Sequence, residues 1–530
     1  MERIWGAGPV RIGVYDRYWA TGGGGEKFAA GIAAALAADH DVELVAHEPV
    51  DRGWLGERLN LDLGDVGVAL AADHAGGVSA TSAGYDVFVN ASYQSGDPNR
   101  ARRGVYVVHF PGPLPTGVER VRRRVATGGA RLLADPVASA TLAEGFYLPE
   151  PTRLHAIRWT AGEATVTVRS TADGPVPVLV LLGRYLPAAV APREVTAEVD
   201  GTVVGRAVVA APASRWDRRR AVPLRFHLDV RAGEPVTVVL RSEPWTPADV
   251  GIGADRRRLG VPVIGAQAGG GWRAALASAV PVLAGPGAAL EFLDTYHRVL
   301  ANSQYTRMWT GRMWGRDSGV LYPPVTPMAL SPAVKDRIVL SVGRFFRPGT
   351  GHNKKQLEMV RAFRRLHETG GADGWTYHLV GGCAPEHGSY LDDIRDAAQG
   401  LPVVVHADAS GAELADLYGR AAIFWHAAGL GEHPDRHPDR YEHFGITTVE
   451  AMSAGAVPVV IDSAGQAEIV EQDRSGLRFS DLDGLVEATR RLVADEPRQA
   501  RLSAAAQARA RDFAWDSFVD RVRHEVENLG

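Results

Sequence analysis

The sequence predicts an α/β protein with two doubly wound parallel sheets and an inserted all-β module. Three observations lead to this prediction. In the C-terminal part, short apolar strands alternate with amphipathic helices, a pattern typical of a parallel sheet covered on both faces. Near the N-terminus, a glycine-rich loop joins a strand to a helix, as in nucleotide-binding α/β domains. Between about residues 148 and 263, helical periodicity gives way to alternating strands with Pro and Gly turns.

The length and composition exclude several classes of protein. A chain of 530 residues is too long for one core, so two or three domains are expected. The residues are 45% hydrophobic and 23% charged, with a formal net charge of -4, so no overall charge favours nucleic acid. The one cysteine, Cys383, excludes an intrachain disulfide and fits a reducing compartment.

No targeting or membrane-spanning segment is predicted. The N-terminus lacks a signal-peptide pattern, and no run of about eighteen apolar residues occurs. We therefore expect a cytoplasmic protein, with peripheral contact at the inner face of a membrane left open. Three runs of arginine are interpreted as solvated faces. They are Arg122–Arg124, Arg218–Arg220 and Arg256–Arg258.

The first strand–loop–helix unit contains the glycine loop Gly22–Gly25. A strand over Val10–Tyr15 precedes it, and an alanine-rich helix over Lys27–Ala38 follows. The glycines are consecutive, so they match neither the dinucleotide fingerprint nor a P-loop. Without side chains, Gly22, Gly23, Gly24 and Gly25 would let a ligand approach backbone N–H groups closely. A loop without a ligand is the alternative.

A histidine, His109, ends the predicted strand Gly104–Phe110. Ligands of doubly wound sheets bind in the crevice at the carboxyl ends of the strands. His109 is therefore a candidate ligand contact. The alternative is a structural hydrogen bond.

Residues 148–263 are predicted to form an antiparallel β-sandwich. Short strands alternate polar and apolar residues, and Asp200–Gly201 is a hairpin signal between two of them. Trp159, Trp216 and Trp245 are predicted to lie in its core, with a carbohydrate-stacking surface as the alternative. No chemistry is assigned to this module.

The C-terminal part offers two candidate cations. Arg344 follows the strand Arg337–Val342, and Lys354 begins the helix Lys354–His367. At the carboxyl edge of one sheet, two such cations would neutralise a diphosphate. The alternative interpretation is that both residues are solvated loop cations.

The stretch from Glu442 to Glu468 contains the strongest candidate site. Glu450 follows Glu442 by eight positions, and a Phe-Gly-Ile-Thr turn between them leads into a helix over Thr447–Ala454. A helix N-terminus behind a glycine turn binds anions, and flanking carboxylates accept hydrogen bonds from sugar hydroxyls. These properties together predict a sugar-nucleotide site. The alternative is a capping box between Thr447 and Glu450, with Glu442 a solvated charge.

The loop before this stretch, residues 429–443, is rich in histidine and aspartate. Its spacing is not that of a zinc motif, and its prolines make it stiff. We predict a cleft-lining loop without metal, although His and Asp are good ligands. The residues considered are His433, Asp435, His437, Asp439 and His443.

Three features of the stretch from Glu442 to Glu468 resemble the donor site of retaining glycosyltransferases of family 4. They are the Glu-x7-Glu spacing, the Phe-Gly-Ile turn and the run Glu-Ala-Met-x-Ala-Gly-x-Val-Pro-Val-Val. The resemblance covers residues 10–115 and 288–525. It implies the GT-B architecture, in which two Rossmann-like domains face a cleft. It also implies a nucleoside-diphosphate sugar donor, no metal, and a same-face displacement in which the leaving diphosphate deprotonates the acceptor hydroxyl.

The resemblance also implies roles for individual residues. Arg344 and Lys354 would bind the diphosphate, in preference to Lys355. Glu450 would bind the ribose, Glu442 the transferred sugar, and His109 the sugar from the other domain. Backbone groups of the turn and the glycine loop would complete the donor site. These are Gly22, Gly23, Gly24, Gly25, Phe444, Gly445, Ile446 and Thr447.

One position departs from the family pattern. Ala464-Gly465 stands where Gly-Gly is frequent, which puts the donor fit in question there. No acidic residue stands out as a covalent nucleophile, unlike the paired carboxylates of glycosidases.

The predicted protein is a hexosyl- or mannosyltransferase-like enzyme acting on a cell-envelope glycan, a glycolipid or a small metabolite. The alternatives are a GT-B epimerase, a phosphorylase, or a non-catalytic glycan-binding protein. Five segments are expected. They are a first Rossmann-like part (1–147), the inserted sandwich (148–263), the continued first domain (264–328), the nucleotide-sugar-binding domain (329–510) and a terminal crossover helix (511–530).

Overall fold

The computed structural model describes residues 9–73, 77–112, 132–147, 150–151, 156–214, 216–251, 257–283, 290–325, 335–349, 353–527 and 529. Four sheets lie within these residues, two of them wholly parallel and two antiparallel. The predicted α/β class with two doubly wound parallel sheets is confirmed. The run Arg122–Arg124 and residue Arg256 lie outside the described residues.

The strands are β1 (Arg11–Tyr15), β2 (Asp41–Ala46), β3 (Gly67–Leu70), β4 (Val87–Asn90), β5 (Arg103–Val108), β6 (Ala138–Leu142), β7 (Glu150–Pro151), β8 (Ala156–Trp159), β9 (Glu163–Ser170), β10 (Gly174–Leu182), β11 (Arg193–Val199), β12 (Thr202–Val209), β13 (Val222–Val230), β14 (Val236–Ser242), β15 (Pro262–Ala268), β16 (Arg298–Ala301), β17 (Gly319–Val320), β18 (Asp336–Val342), β19 (Thr376–Gly381), β20 (Val403–Ala407), β21 (Ala421–His426), β22 (Val457–Ile461) and β23 (Leu477–Phe479).

The α-helices are α1 (Gly24–Ala37), α2 (Arg52–Leu59), α3 (Gly77–Ser82), α4 (Gly271–Ala279), α5 (Gln304–Trp314), α6 (Gln356–Glu368), α7 (Gly388–Ala398), α8 (Gly411–Arg420), α9 (Ile446–Ser453), α10 (Ala464–Ile469), α11 (Leu482–Val493), α12 (Glu496–Ala510) and α13 (Trp515–Glu527).

The first parallel sheet has seven strands in the order β17-β16-β5-β4-β1-β2-β3. All four residues of the central strand β4 are buried, as expected for a parallel sheet with helices on both faces. The chain leaves this sheet after β5, forms the ten strands β6 to β15, and returns as β16, which pairs with β5 in parallel. The carboxyl ends of β1, β4 and β5 therefore lie side by side, and the loops that follow them form one wall of a crevice.

Between β5 and β16, two five-stranded antiparallel sheets share one apolar core. Inward residues alternate with exposed ones along β13, as expected for a strand with one solvated face. Asp200 and Gly201, with φ of 48° and 77°, form the tight turn between β11 and β12 that the sequence predicts. Trp159 and Trp245 are buried and meet edge to face, whereas Trp216 is 54% exposed, so its prediction as a core residue is wrong.

The second parallel sheet has six strands in the order β20-β19-β18-β21-β22-β23. All six residues of β21 are buried, and the Trp425 ring lies at the centre of this core against Tyr377 and Phe363. The switch point of the strand order lies between β18 and β21. The loops after these two strands therefore flank the expected ligand crevice.

Some predicted boundaries are wrong. The predicted helix over residues 288–300 is absent from its described part. Glu291–Thr295 is a 3-10 helix, and Arg298–Ala301 forms β16. Pairing with β5 overrides the local helical pattern there. Helix α1 begins at Gly24 rather than at Lys27, so two of the four loop glycines belong to its first turn.

The last helix, α13, packs against α1 of the first sheet. The rings of Phe28 and Phe518 are 6.1 Å apart, and Arg523 pairs with Asp39 just beyond α1. Among the described residues, no helix combines the length and apolar character needed to cross a membrane. The five segment limits given above stay predictions.

Candidate active site

Two helix N-termini meet between the parallel sheets. Gly24, the first residue of α1, lies against Ile446, the first residue of α9: a Cβ on Gly24 would be 3.4 Å from Ile446 Cδ1. Gly445 caps α9 with φ of 112°, and its Cβ would lie 2.1 Å from Gln466 Nε2, so a side chain is excluded there. Both helices direct their positive ends to the same place, which is favourable when an anion lies between them.

Arg344 adds a full positive charge at this place. A Cβ on Gly23 would lie 2.6 Å from Arg344 Nη2, so the guanidinium rests directly on the glycine loop of the first sheet. Its other contact is the ring of Phe346, with 5.5 Å between guanidinium carbon and ring centroid. Within the described ranges, no carboxylate forms an ion pair with Arg344, so this guanidinium is available to an anionic ligand.

Lys354, Glu442 and His426 form a charged cluster next to the α9 N-terminus. Lys354 Nζ lies 2.5 Å from Glu442 Oε2, and His426 Nε2 lies 2.9 Å from the same oxygen. Burial would raise the pKa of Glu442, but the Lys354 ammonium and the hydrogen bonds from His426 and Lys354 hold it well below its usual value. Burial lowers the pKa of His426, so its neutral ring donates the Nε2–H to an ionised Glu442.

Glu450 is held by two donors from different parts of the chain. Lys27 Nζ, on α1, lies 2.9 Å from Glu450 Oε1, and the Tyr418 hydroxyl donates to Glu450 Oε2 at 3.0 Å. The carboxylate therefore does not reach back to cap its own helix, which begins behind Gly445 rather than Thr447. The capping-box alternative is therefore wrong. A charged ammonium group and a buried hydroxyl group are better donors for a buried carboxylate than the backbone N–H of Thr447.

His109 faces the same place from the end of β5. Its Nε2–H donates to the carbonyl of Ala91 at 2.6 Å, so the structural hydrogen bond considered above is present. The other ring nitrogen points towards the glycine loop, because a Cβ on Gly25 would lie 3.9 Å from His109 Nδ1. Burial lowers the pKa of His109, so Nδ1 is a neutral acceptor suited to a hydroxyl group.

Two predicted site residues lie further away. Gly22 faces Arg58 and Trp54 rather than α9. Phe444 is 3% exposed and packs between Tyr322 and Phe513, so it supports the turn from behind. The structure brings together the other predicted residues. They are Gly23, Gly24, Gly25, His109, Arg344, Lys354, Glu442, Gly445, Ile446, Thr447 and Glu450.

The sequence analysis did not assign Lys27, Tyr418 or His426 to the site. Lys27 is adjacent to the glycine loop, so its position offered a signal, but nothing in the sequence indicates its partner. Tyr418 lies near the end of α8 and His426 at the end of β21, and the sequence pattern of both elements is that of ordinary core elements. Tyr418 reaches Glu450 on α9, and His426 reaches Glu442 in the loop before α9, so both contacts arise only in the folded chain.

The histidine-rich loop is organised by ion pairs and stacking. Glu432 accepts from Lys355 and Arg440, and the His443 ring stacks on Phe110 with centroids 4.1 Å apart. Among the residues that the structure describes, no group of three or more His, Cys, Asp or Glu side chains is suitably placed for a metal ion. The absence of a metal requirement stays a prediction.

Comparison with known proteins finds a matching sequence family in the C-terminal half of the chain. Residues 328–509 match the sequence family described as glycosyl transferases group 1, and this region contains Arg344, Lys354, Glu442 and Glu450. The chain is 24% identical over 143 residues to the sulfoquinovosyl transferase SQD2 of Arabidopsis thaliana, covering 26% of each chain. It is 31% identical over 116 residues to a D-inositol 3-phosphate glycosyltransferase of Xylanimonas cellulosilytica, covering 22% of this chain and 25% of that protein. The matches thus span about a quarter of these relatives.

Solved structures extend the likeness in fold to the whole chain. HepE from Anabaena, in complex with UDP and glucose, superposes with a TM-score of 0.51 at 12% identity, over 98% of this chain and 99% of that one. A glycosyltransferase from Rickettsia africae gives a TM-score of 0.51 at 10% identity with the same coverage. The two parallel-sheet units therefore correspond to the two Rossmann-like domains of the GT-B fold. Residues 328–509 match the glycosyl transferases group 1 family, and the antiparallel sheets lie between β5 and β16 of the first unit.

Proposed function

We propose that this protein is a retaining glycosyltransferase that moves a sugar from a nucleoside-diphosphate sugar to a hydroxyl group of an acceptor, without a metal ion. The observation that carries the proposal is the meeting of α1 and α9 at Gly24 and Ile446, with the Arg344 guanidinium beside them. Two positive helix ends and a cation without a carboxylate partner in the described residues suit a diphosphate, whose charge rises as the glycosidic bond breaks.

Each glutamate then has a separate task. Glu450 accepts hydrogen bonds from the ribose hydroxyls while Lys27 and Tyr418 hold its orientation. Glu442 accepts from hydroxyls of the transferred sugar, and its pairing with Lys354 and His426 keeps it ionised. Because its charge is already shared by two donors, Glu442 is better suited to accept hydrogen bonds than to attack the anomeric carbon.

The proposed step conserves the configuration of the sugar. The bond from the anomeric carbon to the diphosphate breaks, and the acceptor oxygen forms the new bond on the same face. The acceptor proton passes to a diphosphate oxygen, so no protein base is consumed. Arg344 and Lys354 stabilise the charge on the leaving group, and the neutral Nδ1 of His109 accepts from a sugar hydroxyl.

The bound nucleotide of a structural neighbour supports the donor class. The HepE crystal structures contain UDP, UDP with glucose, or UDP-glucose in the same overall fold. A uridine nucleotide is therefore the first candidate for the donor, with guanosine and adenosine nucleotides as the alternatives. The group 1 domain match supports transfer of a glycosyl group rather than epimerisation or phosphorolysis.

The first experiment is a melting-temperature screen against uridine, guanosine and adenosine diphosphate sugars. A ligand at 100 times its Kd stabilises the folded state by about 2.7 kcal/mol, which is readily visible in a melting curve. The donor that binds is then used to compare the wild-type protein with Glu442→Gln and Lys354→Met. We expect kcat to fall by about 10²-fold or more in each.

Arg365→Met is the matched control, since Arg365 forms an exposed ion pair with Asp483 on the same domain. Its turnover should equal that of the wild type. Nuclear magnetic resonance of the first-formed product gives its anomeric configuration. The proposal that the protein is a glycosyltransferase is wrong if no sugar nucleotide shifts its melting temperature. The site assignment fails if Glu442→Gln and Lys354→Met turn over normally.

A further inference from the structure

A second cavity opens beside the donor site, between the first domain and the histidine-rich loop. It has a volume of about 250 Å³. Tyr93, in the loop after β4, lines it from the first domain, and residues of the second domain that precede α6 or belong to the histidine-rich loop line it from the other side. The side chains that line it are those of Tyr93, Pro348, Asn353, Lys355, Glu432, Asp439 and Arg440, with the backbone of Gly349.

The cavity adjoins the proposed donor site through two consecutive lysines. Lys354 reaches Glu442, whereas Lys355 reaches Glu432 in the cavity at 2.8 Å. The two side chains diverge because Lys355 has a left-handed backbone, with φ of 59°, at the N-cap of α6. This conformation is unfavourable for a residue other than glycine, so the direction of Lys355 is maintained by its surroundings. Functional sites are where such strain is commonly found.

The charges lining the cavity cancel. Glu432 accepts from Lys355 and Arg440, one on each carboxylate oxygen, and Asp439 supplies a second negative charge. A phosphorylated ligand would have to separate Glu432 from both cations, leaving a carboxylate to repel it. A neutral ligand that both donates and accepts hydrogen bonds suits this lining, because Asn353 and the cations donate while the carboxylates accept.

Tyr93 supplies the remaining feature. It lines the cavity and is 40% exposed, so part of its aromatic side chain is accessible to a ligand. Gln94 Nε2 donates to the Tyr93 hydroxyl at 3.0 Å and so fixes the end of the ring. An aromatic ring among hydrogen-bonding side chains is the arrangement that binds a sugar ring, since one face of the sugar is apolar and its edge is polar. The volume of the cavity is large enough for one such sugar ring.

We propose that this cavity is the acceptor subsite and that it takes a neutral saccharide, whose ring packs on Tyr93 and whose hydroxyls bind Lys355, Glu432 and Arg440. The proposal rests on the proposed transferase function, and it adds the class of acceptor and the residues that select it. Lys355 and its neighbour Lys354 then place acceptor and donor on two sides of one short segment before α6.

The test separates acceptor binding from donor chemistry. Saturation-transfer nuclear magnetic resonance is recorded for methyl α-D-glucopyranoside, methyl α-D-mannopyranoside and methyl α-D-galactopyranoside with the full-length protein and saturating nucleoside diphosphate. Three variants are compared with the wild type. Tyr93→Ala removes the platform, and Lys355→Asn removes the cation while Asn tolerates the left-handed backbone. Trp272→Ala is the matched control, an exposed aromatic residue on α4.

We expect at least one glycoside to bind the wild type and the control alike. Its affinity should fall by about tenfold in Tyr93→Ala and in Lys355→Asn, because tenfold corresponds to the loss of one ring contact or one charged hydrogen bond. Nucleotide-sugar binding, followed by melting temperature, should stay within about twofold in all three.

Three results would overturn the acceptor proposal while leaving the transferase proposal intact. One is no saturation transfer to any glycoside in the wild type. Another is equal binding in Tyr93→Ala and wild type. The third is stronger binding of glycerol 3-phosphate than of every neutral glycoside. A protein that binds no sugar nucleotide contradicts the transferase proposal instead, and the melting screen detects that separately.

Discussion

The ammonium of Lys27 lies 2.9 Å from the carboxylate of Glu450, although the two residues are 423 positions apart. Lys27 belongs to the helix that follows the glycine loop, and Glu450 belongs to the helix behind the Phe-Gly-Ile turn. Their side chains are 10% and 9% exposed, so the pair is shielded from solvent. It joins the two Rossmann-like domains at the point where the ribose is proposed to bind. Domain contact and ribose recognition therefore depend on one carboxylate.

Removing either partner alone should be costly. A buried charge left without its partner destabilises a protein by about 3–5 kcal/mol, whereas removing both charges is much less harmful. We expect Lys27→Met and Glu450→Gln each to lower the melting temperature, and the double variant to lower it by less than the sum. A coupling of about 2 kcal/mol is expected from the two single and one double variants. Kinetics should show a raised donor KM for Lys27→Met.

The pair Arg523 and Asp39 offers a matched control, because it also involves the end of α1 but its side chains are 36% and 52% exposed. Its coupling should lie below about 1 kcal/mol. Additive effects for Lys27 and Glu450, or a donor KM in Lys27→Met equal to that of the wild type, would show that the pair does not link the domains to donor binding.

The glycine loop permits a comparison between two neighbouring residues. A Cβ on Gly23 would lie 2.6 Å from Arg344 Nη2, while a Cβ on Gly24 would meet nothing closer than 3.4 Å. Gly23 has φ of -100°, so alanine is tolerated by its backbone. Gly23→Ala should therefore displace the guanidinium and raise the donor KM by about tenfold, the value of one charge-assisted contact.

Gly24→Ala should leave the donor KM within about twofold, because an ordinary van der Waals contact replaces empty space. Steady-state kinetics and melting curves of both variants measure the difference. If the two alanines raise KM equally, the close approach of Arg344 to the loop has no role in donor binding.

The residues that could be predicted from the sequence are those whose role follows from local backbone geometry. Gly445 needs a left-handed conformation at the start of α9, and Lys354 and Glu442 lie in the loops that lead from β18 into α6 and from β21 into α9. A pattern of a few residues therefore located them. The fold class was predictable for the same reason, since strand length and apolar character recur in each unit.

The residues that could not be predicted depend on contacts between distant segments. Lys27 and Glu450 are joined only because the N-termini of α1 and α9 meet, and Tyr418 reaches Glu450 across 32 positions of the chain. The left-handed backbone of Lys355 could not be predicted either, because a positive φ is uncommon for lysine and no local sequence pattern indicates it. The predicted helix at 288–300 failed because the sheet edge offered a pairing that local propensity does not record.

Asp16 gives a prediction for pH dependence. It follows β1 beneath the glycine loop, is 1% exposed, and accepts a hydrogen bond from the Tyr18 N–H at 2.9 Å. Burial, together with the nearby charge of Glu26, raises the pKa of Asp16 from 3.8 to about 8. Between these two values the folded protein keeps a proton that the unfolded chain releases. Its free energy of unfolding therefore falls as pH rises, by up to about 1.4 kcal/mol per pH unit.

Asp16→Asn replaces the protonated acid by an amide that does not ionise and can accept the same hydrogen bond. The melting temperature of the variant relative to the wild type should therefore rise steadily from pH 5 to pH 8. Melting curves at four pH values in that interval measure the relation. A constant offset across the interval would show that Asp16 does not take up a proton on folding in this range.

Ala464 stands where the family that the sequence resembles frequently has glycine, and its backbone conformation is one that favours glycine. Ala464 has φ of 53° at the first residue of α10, where alanine pays roughly 1–2 kcal/mol that glycine avoids. Ala464→Gly should therefore stabilise the protein by about 1 kcal/mol, or about 2 °C in melting temperature. Ala467→Gly, inside the same helix, should destabilise it by a similar amount, because glycine weakens a regular helix. Melting curves of the two variants test the opposite signs. Loss of stability in both would mean that the left-handed backbone at Ala464 carries no strain.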